Sequence, residues 1–130
     1  MKSDERISER GDILSDRLIT VLVFWLPIAA LIVSGALRIS NEWCAAVWGI
    51  ALTTIGIGCL VNAVRCGRVH CYFTGPFFLA MAILSLLYGF HIARIGAYGW
   101  NLISLTVLVG GLLLCYVPEV LIGRYWQRLR

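Results

Sequence analysis

Charged residues are scarce in this sequence. They make up 14% of the 130 residues, while 60% are hydrophobic and the mean hydropathy is +0.86. Ordinary soluble domains carry about a quarter charged residues. This fraction of charged residues is too small for a water-exposed surface. The composition therefore excludes an ordinary soluble domain and indicates a membrane protein.

Several functional motifs are also missing. The chain has no glycine-rich phosphate loop, no H-E-x-x-H, no G-x-S-x-G and no pair of carboxylates at catalytic spacing, so we expect no enzyme. It has no basic domain that could hold nucleic acid. Few charges fall in the middle of the apolar runs, which disfavours a transporter driven by buried carboxylates.

The hydrophobic residues are concentrated in runs long enough to cross a bilayer, for which about 20 helical residues are needed. The sequence therefore predicts an all-α, polytopic membrane protein, a bundle of four transmembrane helices. The predicted spans are 18–39, 43–64, 76–95 and 100–117. Thr74 and Gly75 are predicted to cap the third helix, with Pro76 in its first turn. Pro27 is expected to kink the first helix.

The segments outside these spans are short. Residues 1–17 form a predicted polar tail whose acidic residues disfavour a cleaved signal peptide, and residues 118–130 form a basic tail. Spans one and two are joined by about "SNE", and spans three and four by "GAYG". Connections this tight predict that residues 18–117 form two antiparallel hairpins.

The positive charges predict an orientation. Nine of the 11 Lys and Arg residues lie before the first span, between the second and third, or after the fourth, and only Arg38 and Arg94 lie on the other side. Basic loops remain in the cytosol, so we expect both termini to be cytosolic in a multi-pass inner or plasma membrane protein. Anionic lipid headgroups on that face are the expected partner.

Cysteines cluster at the predicted cytosolic face. Cys59 lies near that end of span two, and Cys115 near that end of span four with Glu119 one turn beyond. The candidate ligands for a soft metal ion are Cys59, Cys66, His70, Cys71 and Cys115. Thiolates and imidazole suit Zn, Cu(I) or Hg-class ions. The alternative is that these are small buried residues and incidental loop thiols.

The same loop allows a second interpretation. If a helix begins at "TGP", its free backbone N–H groups would attract an anion or a phosphate headgroup. The candidate residues are Arg65, Arg68, Thr74 and Gly75. The alternative is that both arginines only anchor the loop and set the topology.

Small residues recur where helices could approach closely. The candidate packing residues are Ala45, Gly49, Thr53, Gly56, Gly110 and Gly111. They would build contacts within the bundle, and a surplus face could form a homodimer or a larger membrane complex.

Three functions remain open from the sequence. The sharpest is the binding or transport of a soft metal ion through cytosol-facing Cys and His side chains. The alternatives are a non-catalytic membrane interaction subunit, and a lipid- or anion-binding module that uses Arg65, Arg68 and the start of helix three.

Overall fold

The computed structural model describes residues 17–37 and 40–122. It is all-helical over these residues and contains four helices long and apolar enough to span a membrane, which confirms the predicted helical class and number of spans. Helix α1 covers Arg17–Ala36, α2 Asn41–Cys66, α3 Val69–Gly89 and α4 Gly99–Leu121.

Helix α1 contains a π-helical turn at Val21–Trp25. The N–H of Leu26 donates to the carbonyl of Val21, five residues earlier, directly before the buried Pro27. Proline has no N–H to donate, so local widening of the helix is one way to accommodate it.

Helix α3 begins earlier than predicted. It starts at Val69, so the predicted start at Pro76 is wrong, and Pro76 lies within the helix. Helix α2 ends at Cys66 and is capped by Gly67, whose φ of 68° is the left-handed conformation that glycine adopts readily. The N–H of Gly67 donates to the carbonyl of Ala63 at 2.8 Å. Only Gly67 and Arg68 therefore separate the two helices.

Helices α2 and α3 pack closely and run antiparallel. Gly49 lies against Leu86 near one end, and Gly56 lies against Leu79 and the carbonyl of Gly75 further along. Glycine at these positions lets the backbones approach, as is common between membrane helices. Half of the most apolar 18-residue stretch of α2 is buried, whereas only 11% of the corresponding stretch is buried in α1 and in α4. Helix α2 is therefore the central helix.

The outer helices pack on different members of this pair. Helix α1 lies on α2, where Trp48 Nε1 donates to Ser34 Oγ at 3.2 Å. Helix α4 lies on α3, where Gly110 packs against Phe77. A cleft remains between α1 and α4, with α2 and α3 behind it.

Candidate functional site

A chain of polar contacts lies at the end of the bundle where α2 turns into α3, called here the Gly67 end. His70 Nδ1 is 2.6 Å from Glu119 Oε1, and His70 Nε2 is 3.3 Å from Cys71 Sγ. The carboxylate therefore holds one ring nitrogen of the imidazole, and a thiol contacts the other. This is the arrangement in which a carboxylate orients a histidine that accepts a proton from a nucleophile.

A second thiol joins this chain from α2. Cys59 and Cys71 belong to one buried cluster with Ile55 and Ala63, and Asn62 Nδ2 lies 3.7 Å from Cys71 Sγ. Cys71 is fully buried, Asn62 is 1% exposed and Cys59 5% exposed. The two thiols are thus enclosed by protein on most sides.

The early start of α3 creates this cluster. It places His70 and Cys71 in the first turn of a helix, where Thr74 Oγ1 donates to the His70 carbonyl at 2.9 Å. Helix α4 continues past Pro118 to Leu121 and so carries Glu119 to His70. Three helices therefore contribute to the cluster.

The cleft between α1 and α4 reaches the same cluster. Its volume is about 670 Å³, and its walls are almost entirely apolar. Phe24 and Ile28 line it from α1, and Leu108 and Leu112 from α4. Its polar lining includes His70, Cys59 and Cys115 at the Gly67 end. The cleft is thus apolar along most of its length and has thiol and imidazole groups at one end.

The structure brings together part of the predicted metal set. Cys71 contacts His70 and lies in one buried cluster with Cys59, and Cys115 lines the same cleft as His70 and Cys59. The side chain of Cys66 lies outside the described part of the structure. Among the residues that are described, no group of three or more His, Cys, Asp or Glu side chains is placed to hold a metal ion.

Two of the residues predicted to bind an anion, Thr74 and Gly75, are not at a helix start. Thr74 and Gly75 lie inside α3 and are buried, so they do not form a helix N-terminus. Arg65 is exposed in the last turn of α2, and Arg68 directly precedes α3. The assumption that a helix begins at "TGP" is therefore wrong.

The predicted small residues lie mostly at helix contacts. Ala45 is fully buried beside Gly89, and Gly111 is buried against Phe78. Gly49 and Gly56 face α3, Gly110 faces Phe77, and Thr53 is half-buried.

Neither the contact between His70 and Glu119 nor the cleft is predicted from the sequence. The spacing of Cys115 and Glu119 was visible, but a third helix starting at Pro76 left His70 in a loop without a defined neighbour. Comparison with protein-family models, curated proteins and solved structures finds no match.

Proposed function

We propose that this multi-pass membrane protein binds a lipid-like molecule in the cleft between α1 and α4, with the polar end of that molecule at the Gly67 end. The observation that carries the proposal is an apolar cleft of about 670 Å³ that ends at His70, Cys59 and Cys115. Ligand pockets in proteins typically measure about 300–1,000 Å³ and combine apolar walls with a few polar groups.

The chemistry of the cleft favours an amphiphile. Ordered water needs about two to four polar partners, and the walls between Phe24 and Leu112 offer almost none. An acyl or isoprenoid chain would make van der Waals contacts along these walls that an empty cleft lacks. The imidazole and thiols would contact a more polar head.

The proposed orientation places this head near the cytosolic surface. Following the predicted topology, the four spans cross as two hairpins with both termini inside, as the distribution of Lys and Arg favours. Arg65 at the end of α2 then lies among the cytosolic headgroups. This level of the membrane suits a molecule with an apolar tail and a polar head.

Retention of a lipid-like molecule tests the proposal. Native mass spectrometry of the protein released from nanodiscs is expected to show a bound amphiphile. Leu108→Trp should weaken its retention because Leu108 lines the cleft and an indole ring there would narrow it. Leu105→Trp is the matched control, since Leu105 is 58% exposed, close to the 61% of Leu108, and does not line the cleft. Equal retention in both variants would contradict the proposal.

A soft metal ion is the second candidate. The thiol of Cys71 and the imidazole of His70 are soft ligands in contact, with Cys59 in the same cluster as Cys71. Glu119 holds the other nitrogen of His70 as carboxylates hold metal-binding histidines. The metal candidate has weaker support than the lipid candidate, because the described side chains contain no group of three ligands placed around an ion.

Elemental analysis of the detergent-purified protein tests the metal candidate. If a metal is bound, the wild-type protein should contain a stoichiometric soft metal such as Zn or Cu, and Cys59→Ser should lose it. Cys44→Ser is the control and should keep the metal, because Cys44 is a buried thiol of the same helix far from His70. Protein that carries no metal after growth with each ion would exclude it.

A further inference from the structure

We propose that Cys59 and Cys71 form a redox-active dithiol, and that a lipophilic quinone bound in the cleft oxidises it to a disulfide. The inference rests on the proposed function, since it names the chemical class of the cleft's occupant. It goes beyond simple binding, because the cluster would exchange electrons with that occupant.

The positions of the two thiols suit disulfide formation. Cys59 and Cys71 lie on neighbouring helices and belong to one buried cluster, and both are free thiols. About one turn away on each helix, Gly56 and Gly75 bring the two backbones into contact. A disulfide requires Cα atoms within about 4.4–6.8 Å, which only such closely packed backbones offer.

His70 and Glu119 can accept and stabilise the proton that the Cys71 thiol loses. His70 contacts Cys71 Sγ through Nε2 and can take the proton of that thiol, and Glu119 at Nδ1 would stabilise the imidazolium that forms. Thiolate is the reactive form of cysteine. The rest of the cluster therefore supplies a base and a counter-charge for the thiol.

The overall reaction balances without a further co-reactant. Two S–H bonds break and one S–S bond forms between Cys59 and Cys71, which releases two electrons and two protons. The quinone accepts both electrons and both protons at its two carbonyl oxygens and becomes a quinol. A reducing cytosol contains thiols that could return the disulfide to the dithiol by exchange.

Access to the thiols favours a lipid-soluble oxidant. Cys71 has no exposed surface, and Cys59, 5% exposed, lines the apolar cleft. An oxidant arriving by this route must pass between apolar walls, which excludes charged reagents. A quinone combines an isoprenoid tail suited to such walls with a flat polar ring that can reach His70 and Cys59.

The test uses the full chain in lipid nanodiscs with decylubiquinone as the oxidant. Mass spectrometry of peptides after thiol blocking is expected to find a Cys59–Cys71 disulfide and a matching amount of quinol. Cys59→Ser or Cys71→Ser should abolish quinol formation, and Cys44→Ser should leave it unchanged. Leu108→Trp is expected to slow the reaction about tenfold, equivalent to about 1.4 kcal/mol of lost binding, with Leu105→Trp as the control.

Two results would overturn the inference. One is that the wild-type thiols all stay reduced under excess quinone, and the other is a disulfide that involves Cys44, Cys66 or Cys115 in place of this pair. The failure of the proposed function would look different. If a lipid or quinone is retained in wild type and retained less in Leu108→Trp while the thiols stay reduced, the cleft binds an amphiphile and only the redox step is wrong.

Discussion

The contact between His70 and Glu119 links α3 to α4 at the Gly67 end. Its atoms are 2.6 Å apart, and the two side chains are 14% and 33% exposed. Hydrogen bonds to charged groups contribute about 1.5–3 kcal/mol when well shielded and less when water competes. Because both side chains are partly exposed, we expect this pair to contribute slightly less than that range.

Glu119→Gln should therefore lower the free energy of unfolding by about 1 kcal/mol, because the amide keeps the shape of the side chain but removes its charge. Reversible unfolding in mixed micelles measures the change. Glu42→Gln is the control, since Glu42 is exposed in the first turn of α2 and should change stability by only a few tenths of a kcal/mol. An unchanged stability of Glu119→Gln would show that the contact contributes nothing.

Part of this site could be predicted from residue positions alone. The rise of a helix puts Cys59 and Cys115 at similar depths, and an i+4 spacing puts Glu119 beside Cys115. The contacts of His70 and Cys71 could not be predicted in this way. They depend on the first turn of α3, which starts at Val69. Because Thr74, Gly75 and Pro76 resemble a helix start, the sequence predicts a loop for the residues before them.

At the scale of helices, glycine contacts determine how closely α2 and α3 pack. A Cβ atom at Gly89 would overlap the Cβ of Ala45 and lie 2.9 Å from the backbone carbonyl oxygen of Asn41. Backbone atoms cannot move aside as the end of a flexible side chain can. The helices would have to separate to accommodate even one methyl group.

Gly89→Ala should therefore destabilise the protein by about 1–3 kcal/mol, the usual cost of overpacking. Gly35→Ala is the matched control in α1, because a Cβ there would meet nothing within 4 Å. Alanine favours helix over glycine by about 1 kcal/mol, so this control should be neutral or stabilising. Unfolding in mixed micelles compares the two, and an equal effect would argue against close packing at Gly89.

The existence of the four helices followed from the length of the apolar runs, but their ends did not. The sequence predicts that a helix starts at Pro76 and that another ends just before Pro118. In the structure both prolines lie inside helices. In a soluble helix an interior proline costs about 3 kcal/mol or more. Within a membrane bundle neighbouring groups satisfy the freed carbonyl, so proline is a weaker marker of helix ends.

For the molecule as a whole, the separation of α1 and α4 is the main feature that the sequence could not predict. Both helices have apolar residues all round, such as Leu108 and Leu105 on α4, so their hydropathy does not distinguish a face toward a cleft from a face toward lipid. That distinction arises only when the helices are packed together.

The proposed orientation predicts which loops are accessible from each side. In a chain whose five native cysteines are replaced, Arg94→Cys should react with an impermeant maleimide in intact cells, because Arg94 is exposed in the loop before α4. Arg65→Cys, exposed at the opposite end, should react only after permeabilisation. The reverse pattern would place the cluster of His70 and its neighbours on the outer side.

Photo-crosslinking with a phospholipid that carries a diazirine on its acyl chain tests the lipid-filled cleft most directly. Trp48 and Ile55 are 6% and 4% exposed and both line the cleft from α2, so a lipid can reach them only by entering between α1 and α4. We expect adducts on Trp48 or Ile55, and fewer of them in Leu108→Trp. Adducts confined to outward-facing residues such as Leu105 and Leu113 would show that lipid only surrounds the bundle, and would contradict a lipid-binding cleft.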